Sequence, residues 1–126
     1  MEIKRLPLVN VLNNNIICLA WLDSLATHTT LPHSYHEDLK LPFVNRHGSF
    51  LANSSRTEDN FYGPIHISLE GWSSSAPNEI VRFHPPVSAD DSEIAKEIKE
   101  IPVLGHSTMQ KLGGLISFAT HQFVQM

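Results

Sequence analysis

The alternation of apolar and polar residues across Phe61–Trp72 constrains this chain more than any other feature. Ile65, Ile67 and Leu69 fall on one side of an extended segment, and His66, Ser68 and Glu70 on the other. Period two is the signature of a half-buried strand. A second run, Glu79-Ile80-Val81-Arg82-Phe83-His84, ends at Pro85-Pro86, where the backbone loses its ladder donors. The polar stretch Gly71–Asn78 lies between them as a loop. Two strands so joined read as an adjacent antiparallel pair. Ile65, Ile67, Leu69, Val81 and Phe83 are its expected core residues.

The remaining periodicity is sparser. Ser88–Ile101 reads as a helix, with Asp90 and Asp91 at its start, where negative charge suits the helix dipole, and Pro102 at its stop. Its stripe of Ile94, Ile98 and Ile101 is narrow. That suggests an insertion that packs on a sheet edge or contacts a partner, and removing residues 88–103 should leave a folded core. Leu112–Ala119 reads as a strand that Gln122-Phe123-Val124 continue, and Phe43, Val44, Phe50 and Leu51 suggest one or two short strands. The expected class is α+β, an antiparallel sheet with one or two helices. At 126 residues the length suits one domain.

Charge and residue counts narrow the functions. Nine Lys and Arg stand against 13 Asp and Glu, for a net charge of -4. Broad neutralisation of duplex DNA phosphates is therefore excluded, whereas one small nucleic-acid site is not. No apolar run reaches the length of a membrane-spanning helix. Cys18 is the only cysteine, which excludes an internal disulfide and a zinc site of paired cysteines. Of the eight histidines, the closest pair is His33 and His36, directly after Pro32, a poor start for a helical metal face. No metal and no cofactor are expected.

Residues 1–26 admit two descriptions. Lys4 and Arg5 precede an apolar stretch that ends in Ser24-Leu25-Ala26. That is a secretory pattern, with cleavage after Ala26 and a single domain over residues 27–126. Asn13-Asn14-Asn15 interrupts the apolar stretch, and the alternative is a helix or strand docked on the sheet. If the chain is exported, Asn53 of Asn53-Ser54-Ser55 is a glycosylation acceptor.

Four stretches in order resemble the fungal guanyl-specific secreted ribonucleases and their ribotoxin relatives. They are Leu31-Pro32-His33-Ser34-Tyr35, then Phe61-Tyr62-Gly63-Pro64-Ile65, then Ala76 to Phe83, and finally Gly114 to His121. The resemblance implies a microbial-ribonuclease-like fold in which His33 is a base at the ribose hydroxyl and Arg82 stabilises the phosphoryl charge. It implies His121 as the general acid, with Tyr35 and Tyr62 holding the nucleotide; Trp72, after the first strand, is an aromatic anchor for a partner. The alignment slips by two residues at Arg82. The family's glutamate base falls on Gly63, the strict position of its acid is Phe118, and its cysteines are missing. Acid and base must sit on opposite sides of the phosphorus, so the resemblance implies a secreted scaffold degenerate in catalysis. Such an effector binds RNA or a host protein.

Two alternatives stand beside it. His66-Ile67-Ser68 and His106-Ser107-Thr108 are similar to the paired His-x-Ser/Thr elements of two-histidine phosphoesterases, with one histidine as base and the other as acid. The other alternative is a small interaction module without chemistry, anchored by Trp21, Phe61 and Trp72.

Overall fold

The strand that ends at Ser68 carries neighbours along both edges, and its length decides the architecture. The computed structural model describes residues 3–10, 15–23, 26–50, 56–117 and 122–125. In chain order the elements are β1 (Ile3–Asn10), β2 (Asn15–Leu22), β3 (Thr30–Leu31), α1 (Tyr35–Leu39), β4 (Phe43–Phe50), β5 (Arg56–Ser68) and β6 (Ser75–Phe83). They continue with α2 (Glu93–Glu100), β7 (Val103–Leu104), α3 (His106–Lys111), β8 (Gly114–Ser117) and β9 (Gln122–Gln125).

Seven strands form one sheet in the order β1-β2-β7-β3-β6-β5-β4, and β1 pairs with β5 as well. Six of them therefore close on themselves, β1-β2-β7-β3-β6-β5 and back to β1, and closure removes the open edges of those strands. β5 manages this by changing partner along one edge. Tyr62 is the last residue to face β4, at Phe43, and Ile65 is the first to face β1, at Asn10. Between them lies Gly63-Pro64, where proline has no N–H to give a ladder. Gly63 itself donates to the Pro42 carbonyl at 3.0 Å. Beyond the hand-over, β4 and the first half of β5 form a hairpin arm projecting from the closed body.

The α+β class holds, but the sheet is mixed rather than purely antiparallel. β2 runs parallel to β7, and β3 parallel to β6. The expected neighbours β5 and β6 are antiparallel, and Ile65, Ile67, Leu69 and Val81 are buried. Phe83 is only partly buried, packed against the core with Tyr35, Tyr62 and Trp72. β6 begins at Ser75, so the second half of the expected loop is strand. Residues 3–10 and 15–22 are two staves of the closed sheet, and a cut after Ala26 would remove both. Leu51, Asn53, Phe118 and His121 lie outside the described residues.

The helical insertion is shorter than expected. Ser92 caps α2 by accepting from the Ala95 N–H, which leaves Asp90 and Asp91 in the preceding turn. None of its residues is buried, and Ile94 is 72% and Ile98 48% exposed. The expected packing on a sheet edge is therefore not made. The block 88–103 also includes Val103, which belongs to β7, between β2 and β3. A short helix, α3, precedes the last strands where no periodic pattern stood.

Candidate functional site

β2 ends at Leu22, and the loop that follows is pinned to the turn between β7 and α3. Asp23 donates its N–H to the Leu104 carbonyl at 3.1 Å, His106 donates to Ala26 at 2.7 Å, and Ser107 donates to Thr27 at 3.3 Å. Gly105 permits this contact. A Cβ there would lie 2.6 Å from the His28 carbonyl oxygen and 2.8 Å from the Thr29 nitrogen. The side chains repeat the clamp: the Gly105 N–H reaches Thr29 Oγ1 at 3.1 Å, and Thr29 Oγ1 lies 2.7 Å from Thr108 Oγ1. Asp23 is half-buried.

The base of the hairpin arm meets His28 of the segment that follows Asp23. His28 lies edge-on to Phe61 of β5 with ring centroids 4.7 Å apart, and His47 of β4 meets the same ring at 5.6 Å. Arg82 binds the arm to the body, donating through Nη1 to Asp59 at 2.9 Å and through Nε to Thr30 Oγ1 at 2.8 Å. Burial, then the neighbouring Arg82 charge, lowers the His28 pKa from its usual value. His84 is lowered for the same two reasons, with Lys99 adding to them. Both rings are thereby biased toward the neutral form.

The residues singled out in the sequence separate into groups. His33 is exposed and borders a cavity of about 320 Å³ with Pro32, Ser34, Pro86, Val87, Lys99 and Glu100. Its ring is 6.3 Å from His36, which stacks on Phe83 at 4.6 Å and meets Tyr62 edge-on at 4.7 Å. His33 and Tyr62 thus belong to one aromatic cluster, beside Tyr35 at the start of α1. Arg82 is next to this cluster in sequence, but its guanidinium is held by Asp59 and Thr30. Trp72 packs against the core in the turn after β5. His66 is on the face of β5 opposite Ile65 and Ile67, with a buried Nε2 that has no hydrogen-bond partner among the described residues. His106 is exposed as the first residue of α3, which packs on β6 and β8. Gly63, where the resemblance puts a glutamate, has no room for one: a Cβ would lie 2.7 Å from the Glu79 carbonyl oxygen. Among the described residues, no group of three His, Cys, Asp or Glu side chains is placed to hold a metal ion.

Asp23 was the residue hidden by the sequence pattern. An apolar run that ends in an aspartate followed by small and hydroxyl residues, Ser24, Ala26 and Thr27, marks it. The same run also reads as a leader segment, and that reading puts no function on its end. No protein family matches the chain, and no curated protein matches it.

Proposed function

We propose that the chain is one half of a two-fold symmetric peptide hydrolase, in which the Asp23 carboxylates of two copies form the acid–base pair. The observation that carries this reading is the position of Asp23: half-buried, clamped at Leu104, and a few residues before His28, which meets Phe61 of the β4–β5 arm. Asp59 is bound by Arg82, and Glu79 by Lys111 and Thr108.

Hydrolysis of an amide by carboxyl groups needs a base to take a proton from water and an acid to give one to the amide. Two like carboxyls held against each other divide those roles by sharing one proton, because both cannot ionise. One chain offers one such aspartate, and a two-fold axis supplies its twin. The arm of each copy then covers the cleft and limits water. Its strand β4 is the end strand of the sheet, with an open edge suited to an extended peptide.

The test is cleavage of a peptide library by the purified chain between acidic and neutral pH, with the oligomeric state followed by light scattering. Asp23→Asn should remove roughly 10³-fold or more of the activity while the dimer persists. Mixed dimers with one Asn should be as inactive as the double variant. A strictly monomeric chain without peptidase activity overturns the reading.

A second reading is favoured by the cluster around His33. The cavity next to it also has Lys99, and Tyr35, His36, Tyr62 and Phe83 pack nearby. A cation beside aromatic rings suits a phosphate and a base, as a degenerate, exported ribonuclease-like scaffold that binds RNA or a host protein would need. Fluorescence anisotropy with a labelled single-stranded RNA decides it. Binding weakened by His33→Ala and by Lys99→Ala supports this reading, and no binding overturns it.

A further inference from the structure

The core of the closed sheet contains a carboxylate, and its partners lead to the Asp23 loop. Glu79 takes an inward position on β6 and is 3% exposed. A charge so buried must be paired and hydrogen-bonded. Lys111, at the end of α3, donates to Oε2 at 2.5 Å, and Thr108 Oγ1 donates to Oε1 at 2.6 Å. Thr108 and Thr29 are both buried, with their hydroxyl oxygens 2.7 Å apart, and Thr29 Oγ1 accepts from the Gly105 N–H.

We infer that Glu79, paired with Lys111, sets the direction of this hydroxyl relay, and that the relay positions the Asp23 loop for catalysis. A carboxylate only accepts. Thr108 must therefore spend its one hydroxyl proton on Glu79, which leaves its oxygen to accept from Thr29. Thr29 in turn has only its oxygen left for Gly105. Every donor along the line has one partner, and the order follows from one charge. The relay ends on the turn whose backbone clamps Asp23, Ala26 and Thr27. Glu79, Thr108 and Thr29 are thus positioning residues; none of them is assigned contact with substrate. The catalytic consequence rests on the peptide-hydrolase reading, whereas the ordering of the loop does not.

The test separates the two. Thr108→Val and Thr29→Val remove the relay without touching the Glu79–Lys111 pair, and Thr108→Ser keeps it. Amide hydrogen exchange at His106 and Ser107 reports the clamp directly, and urea unfolding reports global stability. In Thr108→Val, exchange at these two amides should speed up by more than the change in global stability explains. In the same variant kcat should fall about tenfold at unchanged KM, and Thr108→Ser should restore both. Glu79→Gln preserves the shape but no longer imposes one direction, so it should fall between the two, and it stands in if a valine variant does not fold. Wild-type exchange at His106 and Ser107 in both valine variants, or in Glu79→Gln alone if neither valine variant folds, overturns the inference. Faster exchange in a chain with no peptidase activity leaves the relay standing and ends the hydrolase reading.

Discussion

Gly105 and His28 meet backbone to backbone, so closely that a Cβ on Gly105 would fall 2.4 Å from the His28 carbonyl carbon. No side-chain rotation relieves such a contact, since the obstacle is main chain. Gly105 is buried between β7 and α3, and the loop pressed against it carries Asp23 at its start.

Replacing Gly105 by alanine should therefore push the loop and the turn apart. The expected loss is about 1–3 kcal/mol in urea unfolding, the range for overpacked interiors. His106 and Ser107, whose N–H groups hold Ala26 and Thr27, should show the largest amide shifts in an NMR spectrum. A variant with wild-type stability and unshifted His106 and Ser107 signals would show that the crossing yields easily.

Two histidines give the chain a pH dependence of defined sign. His28 and His84 both have pKa values lowered from 6.5, chiefly by burial and next by Arg82. The unfolded chain therefore takes up protons first as pH falls, and stability declines from about pH 6.5 downward until the folded-state rings titrate too. Asp91, lowered from 3.8 by the Ser88 N–H and by Lys99, contributes stability above that value and loses it only in more acidic solution, outside this window. The Tm should fall between pH 7.5 and 5.5, and His28→Gln with His84→Gln should flatten that slope. An equal slope in the double variant would assign the dependence to other groups.

The apolar stripe of α2 contributes little to folding, because none of the helix is buried. Ile94→Ser and Ile98→Ser should each change stability by less than about 0.5 kcal/mol, as at ordinary surface sites. Ser92→Ala removes the hydroxyl that accepts from Ala95 and should cost more, about 1 kcal/mol of helix stability. Circular dichroism and thermal melts of the three variants give the ranking. A larger loss at Ile98 than at Ser92 would mean that the stripe is covered in solution.

Much of β5 and β6 is legible in the sequence, because one face of each is buried and period two records it directly. Closure of the sheet is not. It depends on β1 meeting β5 and β2 meeting β7, contacts between distant segments, and β3 and β7 are each two residues long. A two-residue strand has no period to detect. The mixed direction was hidden for the same reason, as both parallel pairings run through those short strands. At the candidate site, His33 and Tyr62 stood out by type, and the structure puts them in one cluster. Arg82 stood out as a phosphate ligand, yet Asp59 is spaced along β5 to meet it, a partner no local pattern reveals. Asp23 draws its significance from Leu104 and Gly105, far along the chain.

The Arg82–Asp59 pair joins the hairpin arm to the closed sheet, and its strength can be bounded. The two side chains are 32% and 33% exposed and 2.9 Å apart, so solvent screens much of their attraction. A double-mutant cycle of Arg82→Gln and Asp59→Asn should give a coupling of about 0.5–1 kcal/mol, at the upper end for exposed pairs. It should shrink on raising the salt to 1 M, where the Debye length is about 3 Å. Arg82→Gln should cost more than Asp59→Asn, because it also removes the donor to Thr30 Oγ1 and with it a bond to β3. Amide exchange in residues 43–50 and 56–62 should quicken in both single variants, since each frees the arm. If the coupling is zero and the arm exchanges as in wild type, the hairpin is held by Phe61 and its two histidine neighbours rather than by charge.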